Sequence, residues 1–310
     1  MIALRSMQSK GSTRFGLYRD LLNSSNYFKV VCGAGNEDAE EVNYLTFIYT
    51  LAGCAGFDVS ANTEVVIAAK NGINEALEKA KELNISLPFV PFITVSVGMP
   101  GDHHVRKATI TKDCVSCNLC IPKCPTDAIP NNLVIIPDLC IGCGNCEAVC
   151  PPVANAISYK HNTKELLSVL PKCIESGAES IELHAGVPDN ESTLKEWKIV
   201  SESVPNGMIS MCLDRKHLSN DSLIDRIKAA HEIADDRLII QADGIPMSGG
   251  ADNFNTTLQA VSIADYIYKE VKLRDSKFTK LPILISGGTN SLTGSLARQC
   301  GVQFNGITIG

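Results

Sequence analysis

Residues 180–185 read SIELHA: Ser180, Ile181, Glu182, Leu183, His184, Ala185. Side chains along a strand alternate between two faces. Ile181 and Leu183 therefore share one face, and Glu182 and His184 share the other. Where helices cover a sheet, the helix-facing side is apolar. That sends Glu182 and His184 to the inside. The same alternation continues downstream in MISMCLD (Met208–Asp214), LIIQAD (Leu238–Asp243), PILIS (Pro282–Ser286) and GITI (Gly306–Ile309). Upstream it is matched by FKVVC (Phe28–Cys32), FDVS (Phe57–Ser60) and ITVSVG (Ile93–Gly98). Helical stretches fall between them: Glu37–Ala52, a helix capped by Asn62 and running to about Leu83, Ser222–Ala234 and Thr256–Val271. Strands that alternate with helices make a parallel sheet. Eight such strands predict an α/β fold, a parallel TIM-type (β/α)8 barrel of about 250 residues, with the eighth helix absent. Either a helix at the N-terminus fills that gap or the natural chain continues past Gly310. An open doubly wound sheet is the competing architecture. It fits less well, because the Gly-rich turns follow late strands and no G-x-G-x-x-G follows the first.

The barrel pattern is interrupted after the third strand by a second decisive stretch. Cys114–Pro125 reads CVSCNLCIPKCP and Cys140–Pro151 reads CIGCGNCEAVCP. Both have the spacing C-x2-C-x2-C-x3-C-P, in which three thiolates hold one cubane and the fourth ligates its neighbour. This assigns one [4Fe-4S] cluster to Cys114, Cys117, Cys120 and Cys150, and a second to Cys140, Cys143, Cys146 and Cys124. Zinc is the weaker alternative, since its ligands usually come as two pairs. The expected division is an N-terminal arm and short helix over 1–27, a barrel from 28–99 and 160–310, and a ferredoxin-like insert over 100–159. Pro100, Gly101, His103 and His104 form the approach loop, and Asn162 with Glu165 reads as a capping box after the insert. An insert this small needs a staple, here the iron. Arg106 and Lys107 precede the first Cys. They are expected to be an exposed basic pair, with contact to a cluster or a docking partner as the alternative.

Composition narrows the function classes. The 310 residues are 45% hydrophobic, enough for a full core. A net charge of -6 argues against nucleic acid, which calls for a basic stripe. No apolar run reaches the length of a membrane span. Of thirteen Cys, those outside the two runs are scattered (Cys32, Cys54, Cys173, Cys212, Cys300), unlike a secreted disulfide framework. A reducing compartment follows, with the cytoplasm expected. The first nineteen residues lack Asp and Glu and carry Arg5, Lys10, Arg14 and Arg19, so a plastid transit peptide is the second choice. A short helix is expected near Phe15–Leu22.

Alternation also sends Asp58, Ser60, Ser210, Cys212, Asp214, Gln241, Asp243 and Ser286 inward. The candidate catalytic set at the barrel mouth is Glu182, His184, Asp214, Gln241 and Asp243. Gly287, Gly288 and Gly310 follow the last two strands, where barrels often bind phosphate. They are candidates for FMN or another phosphate ligand, and simple turn chemistry is the other reading.

FKVVCGAG at the first strand, QADGIPMSGG (Gln241–Gly250) with Thr256 and Thr257, and SGGTN (Ser286–Asn290) resemble the cyanobacterial light-dependent period protein family, LdpA. The likeness covers most of the chain from Phe28 onward, the two-cluster insert included. It implies an iron–sulfur protein that passes redox state to the circadian clock, with a redox partner or clock-input proteins as partners and no settled reaction. Three functions follow as expectations: a redox sensor or electron carrier, a flavin-dependent oxidoreductase fed by the clusters with a small molecule in the mouth, or a scaffold with structural clusters.

Overall fold

The structure, a computed structural model, describes residues 13–33, 35–100, 102, 106–140, 142–161, 166–244 and 253–310. Eight strands close into one parallel barrel: β1 (Tyr27–Gly33), β2 (Gly56–Ser60), β3 (Phe92–Gly98), β6 (Ser180–His184), β7 (Ile209–Leu213), β8 (Leu238–Asp243), β9 (Ile283–Ser286) and β10 (Gly306–Ile309). β10 pairs back to β1, and β3 pairs directly with β6. The missing numbers, β4 (Arg106–Ile110) and β5 (Ile157–His161), form a separate antiparallel pair outside the barrel. The open-sheet alternative is thereby set aside.

Helices α2 (Ala39–Leu51), α3 (Thr63–Glu82), α4 (Leu166–Ser176), α5 (Asn190–Ser203), α6 (Asn220–Ala234), α7 (Asn253–Ile267) and α8 (Thr293–Gln299) lead in turn into β2, β3, β6, β7, β8, β9 and β10. Short polar side chains start several of them. Asp38, Asn62, Asp189 and Ser219 each accept a backbone N–H from the first turn of the helix they precede. The apolar parity of each strand meets these helices. Phe57, Val59, Ile181, Leu183, Ile209, Met211, Ile240 and Ile285 join one large core with residues such as Trp197 and Ile227.

The first helix, α1 (Arg14–Asn23), does not take the place of an eighth barrel helix. Its Tyr18, Leu21 and Leu22 pack with Tyr27, Phe92, Met208, Ile239 and Leu284, all at the strand starts. It plugs the bottom of the barrel. Arg14 fixes it there, donating to Glu179 and to the carbonyls of Val90 and Pro91 while lying 3.8 Å over the Phe92 ring. Arg5, Lys10, Gly101, His103, His104, the Asn162–Glu165 cap and residues 245–250 of QADGIPMSGG lie outside the described residues.

Candidate functional site

The insert is built around its cysteines. Its small core joins Ala108, Ala128 and Ile129 to Cys120, Cys140 and Cys146, flanked by Ile110, Leu133, Ile157 and Tyr159. Three of its six buried residues are thiols, so the cysteines and whatever they bind are part of the core, and the aliphatic side chains around them are mostly only half-buried. The Cys runs turn tightly: Ser116, Asn118, Gly142 and Gly144 all have positive φ. Such turns aim several thiols of one run at a common point.

Two groups result. Cys114, Cys117, Cys120 and Cys150 line one small pocket, with Ile110 and Ile157 in its wall. Cys124, Cys140, Cys143 and Cys146 line a second, with Ala108 and Ala128. Each run thus sends its last cysteine to the other group. Backbone N–H groups point at the sulfurs: Ser116 to Cys114 (3.4 Å), Ala128 to Cys124 (3.2 Å), Ala108 to Cys140 (3.3 Å) and Ala156 to Cys150 (3.3 Å). Burial, and then the neighbouring Cys114, Cys117 and Cys150, pushes the Cys120 thiol above its ordinary value. Burial and Cys143 push Cys146 up to about 11. Four thiolates this close call for a cation between them. Eight sulfurs in two quartets, each met by N–H donors, fit iron–sulfur binding.

The basic pair is not exposed. Lys107 is 9% exposed, and its Nζ donates to the carbonyls of Cys140 (2.8 Å) and of Gly35, beyond β1 (2.6 Å). Arg106 donates to the Gly142 carbonyl and stacks 3.9 Å over Tyr159. Both side chains brace the second Cys run, because a hairpin that docks on a barrel buries the strand residues nearest the dock.

Inside the barrel Glu182 is the hub. It accepts from Lys29, from Gln241, from the Ser210 hydroxyl (3.1 Å) and from the Cys212 thiol (2.9 Å). Lys29 also pairs with Asp58 at 3.5 Å, and Ser96 donates to Asp58. Thr308 donates to Gln241 (3.0 Å). His184 Nε2 lies 3.6 Å from Glu182. Burial opposes the charge on Lys29, but the Glu182 and Asp58 carboxylates outweigh it and hold the ammonium above the usual lysine range. Burial followed by the Glu182 charge pushes Asp58 up to about 7. Burial would raise Glu182 too, yet Lys29 and then His184 hold it below the usual carboxylate range. The interior is therefore a charged, hydrogen-bonded core where barrels usually carry Val, Ile and Leu.

The remaining candidates sit at the rim. Asp214 accepts from the Lys216 N–H (2.8 Å), and a Cβ on Gly186 would come within 2.4 Å of its carboxylate. Asp243 is buried beside Cys212, at the register of Ser286. Gly287 and Gly288 are both left-handed. A Cβ on Gly287 would meet Gly244 N at 2.8 Å, so this turn packs on the end of β8. Gly310 is exposed after β10. Lys29 was missed by the sequence reading. The usable signal was its position: a Lys amid an apolar strand, on the parity opposite Val30 and Cys32.

Residues 111–127 and 133–154 each match a 4Fe-4S binding domain, and residues 173–307 match the Light dependent period A C-terminal domain. Light dependent period A of Synechococcus elongatus is 27% identical over 277 residues, covering 88% of this chain and 74% of that protein. A ferredoxin of Alicyclobacillus acidocaldarius is 54% identical over 41 residues, 12% of this chain and 50% of that protein. Among solved structures, a protein of Coccidioides immitis described as a deoxyribose-phosphate aldolase superposes with a TM-score of 0.50 at 8% identity, covering 99% of this chain and 91% of that one. That last likeness is one of fold alone. The resemblance to the light-dependent period family stands, and the two Cys runs are 4Fe-4S binding motifs. No described helix is long and apolar enough to cross a membrane.

Proposed function

From an iron–sulfur chain that carries a Light dependent period A C-terminal domain, we propose a two-cluster electron carrier that reports redox state to a partner protein. One [4Fe-4S] cluster belongs to Cys114, Cys117, Cys120 and Cys150. The other belongs to Cys124, Cys140, Cys143 and Cys146. The observation that carries this reading is the crossing of the fourth cysteines, which separates the thiols into two quartets. When bound, each cluster takes up or gives back one electron. The chain's own part is to set the potential. N–H groups of Ser116, Ala108, Ala128 and Ala156 stabilise negative charge on sulfur. Lys107 brings positive charge to the second quartet through the Cys140 carbonyl. The named relative, Light dependent period A, supports clock-input proteins as the partner class.

The test is iron and sulfide analysis of protein purified without oxygen, together with Cys150→Ala. Two cubanes require about eight irons and eight sulfides per chain. Cys150→Ala should damage the cluster on Cys114, Cys117 and Cys120 and spare the other. Loss of the neighbouring cluster instead, or zinc in place of sulfide, rejects the assignment.

A further inference from the structure

Three buried side chains that play no part in electron carriage converge at the upper end of β6 and β7. Glu182, His184 and Cys212 each offer one ligand atom, and the three atoms lie within 4.8 Å of one another. We propose that they form a third metal site, one that takes a single zinc-type divalent ion inside the barrel.

The placement follows from strand register. His184 and Cys212 are Cα partners on neighbouring strands, and Glu182 lies two residues before His184 on the same face. The distances approach a metal's own. Cys212 Sγ is 2.9 Å, and His184 Nε2 3.6 Å, from Glu182 Oε1. Ligand atoms on a tetrahedral zinc, with bonds of about 2.0–2.3 Å, stand roughly 3.3–3.7 Å apart. A small outward movement of the sulfur brings the Cys212–Glu182 separation to that spacing, and the Cys212–His184 separation stays within 4.8 Å. Thiolate, imidazole and carboxylate together are a zinc donor set.

The two oxygens of Glu182 divide the work. Oε1 faces the thiol and the imidazole. Oε2 is taken by Lys29, Ser210 and Gln241. Those three donors orient the carboxylate from behind, as outer-shell partners of metal ligands do. Charge also balances. Lys29 already neutralises Glu182, and a divalent ion would neutralise the Cys212 thiolate and the adjacent Asp243 carboxylate. Binding releases the thiol proton of Cys212 to solvent and changes no oxidation state. The Asp243 carboxylate acts on the charge of Cys212, so a cation bound by the thiolate would also offset Asp243. The site lies at the C-terminal end of the strands, where barrels keep their chemistry.

The full chain with both clusters loaded is the sample, because filling the Cys runs removes their thiolates as competing zinc ligands. After equilibration with zinc and removal of excess, metal analysis should find one zinc per chain, with iron content unchanged. Zinc X-ray absorption should show one sulfur at about 2.3 Å and nitrogen or oxygen at about 2.0–2.1 Å. Cys212→Ser should erase the sulfur and weaken zinc binding at least tenfold. His184→Gln, nearer the rim, should weaken it comparably and carries the test if the serine variant misfolds. No retained zinc would leave a hydrogen-bonded core triad and overturn the proposal. So would a four-sulfur shell, which places the zinc in the Cys runs, or affinity unchanged by both substitutions.

Discussion

Lys29 is 1% exposed in the middle of a barrel, held closely by the Glu182 carboxylate and, at 3.5 Å, by the carboxyl of Asp58. Removing one member of a buried ion pair costs about 3–5 kcal/mol, because the other charge is left without compensation. Lys29→Met should lower unfolding stability by that amount in denaturant titration, and adding Glu182→Gln should restore part of it. Asp58 gives a pH signature. Its carboxyl keeps its proton to about pH 7 in the folded chain, against about 3.9 for an ordinary Asp. Between those values the folded state binds more protons, so this group's contribution falls as pH rises through the window. Asp58→Asn imitates the protonated form. The Tm of the variant should therefore gain on that of the natural chain from pH 5 to 8, by the equivalent of about 2–4 kcal/mol. A constant gap across that range would contradict the assignment. Glu182 could be placed inside from SIELHA alone. Its partner Lys29 could not, since the two are 153 positions apart and no local pattern links them.

Among the elements, α1 shows how composition can mislead about place. Its helical character near Phe15–Leu22 was readable, and its role was not. Tyr18, Leu21 and Leu22 are apolar on one side, and that side suits a flank of the barrel as well as its floor. Only the pairing of Tyr18 with Tyr27 (2.8 Å between hydroxyls) and with Phe92 decides for the floor. Leu21 and Leu22 are fully buried there. Leu21→Ala should cost about 2–5 kcal/mol, seen as a shifted urea midpoint with iron content unchanged. A shift below one tenth of that range would mean the helix merely rests on the barrel. The β4–β5 pair was hidden for a different reason. RKATI and ISYKH are short, polar and separated by the whole insert, and no local pattern links two strands so far apart in the chain.

For the molecule as a whole, the repeating strand–helix rhythm made the barrel legible, because each unit declares itself within a few residues. The interruption after β3 was legible too, because cysteine spacing is a local code. How barrel and insert depend on metal is a property of neither code. The barrel has a large aliphatic core of its own, whereas the insert's buried core is small and half of it is thiol. Removing iron with a chelator and oxidant should therefore unfold the insert alone. Limited proteolysis should then cut within residues 112–155, while helical circular dichroism stays near that of the loaded protein. Protection of this segment in the iron-free chain would show that the insert folds unaided.

The Lys107 clasp gives the insert a front and a back. It ties the second Cys quartet to the turn after β1, while the first quartet sits at the other end of the hairpin, beside Ile110 and Ile157. Cys117 is exposed at that outer end, as are Val115, Leu119 and Val153. In the proposed two-cluster carrier, traffic with the outside world would therefore pass through the outer cluster, with the inner one as a sheltered store behind it. Damage should follow the same gradient: on brief exposure to air, the cluster on Cys114, Cys117, Cys120 and Cys150 should lose iron first, leaving a chain that still holds an electron but has lost its contact for passing it on.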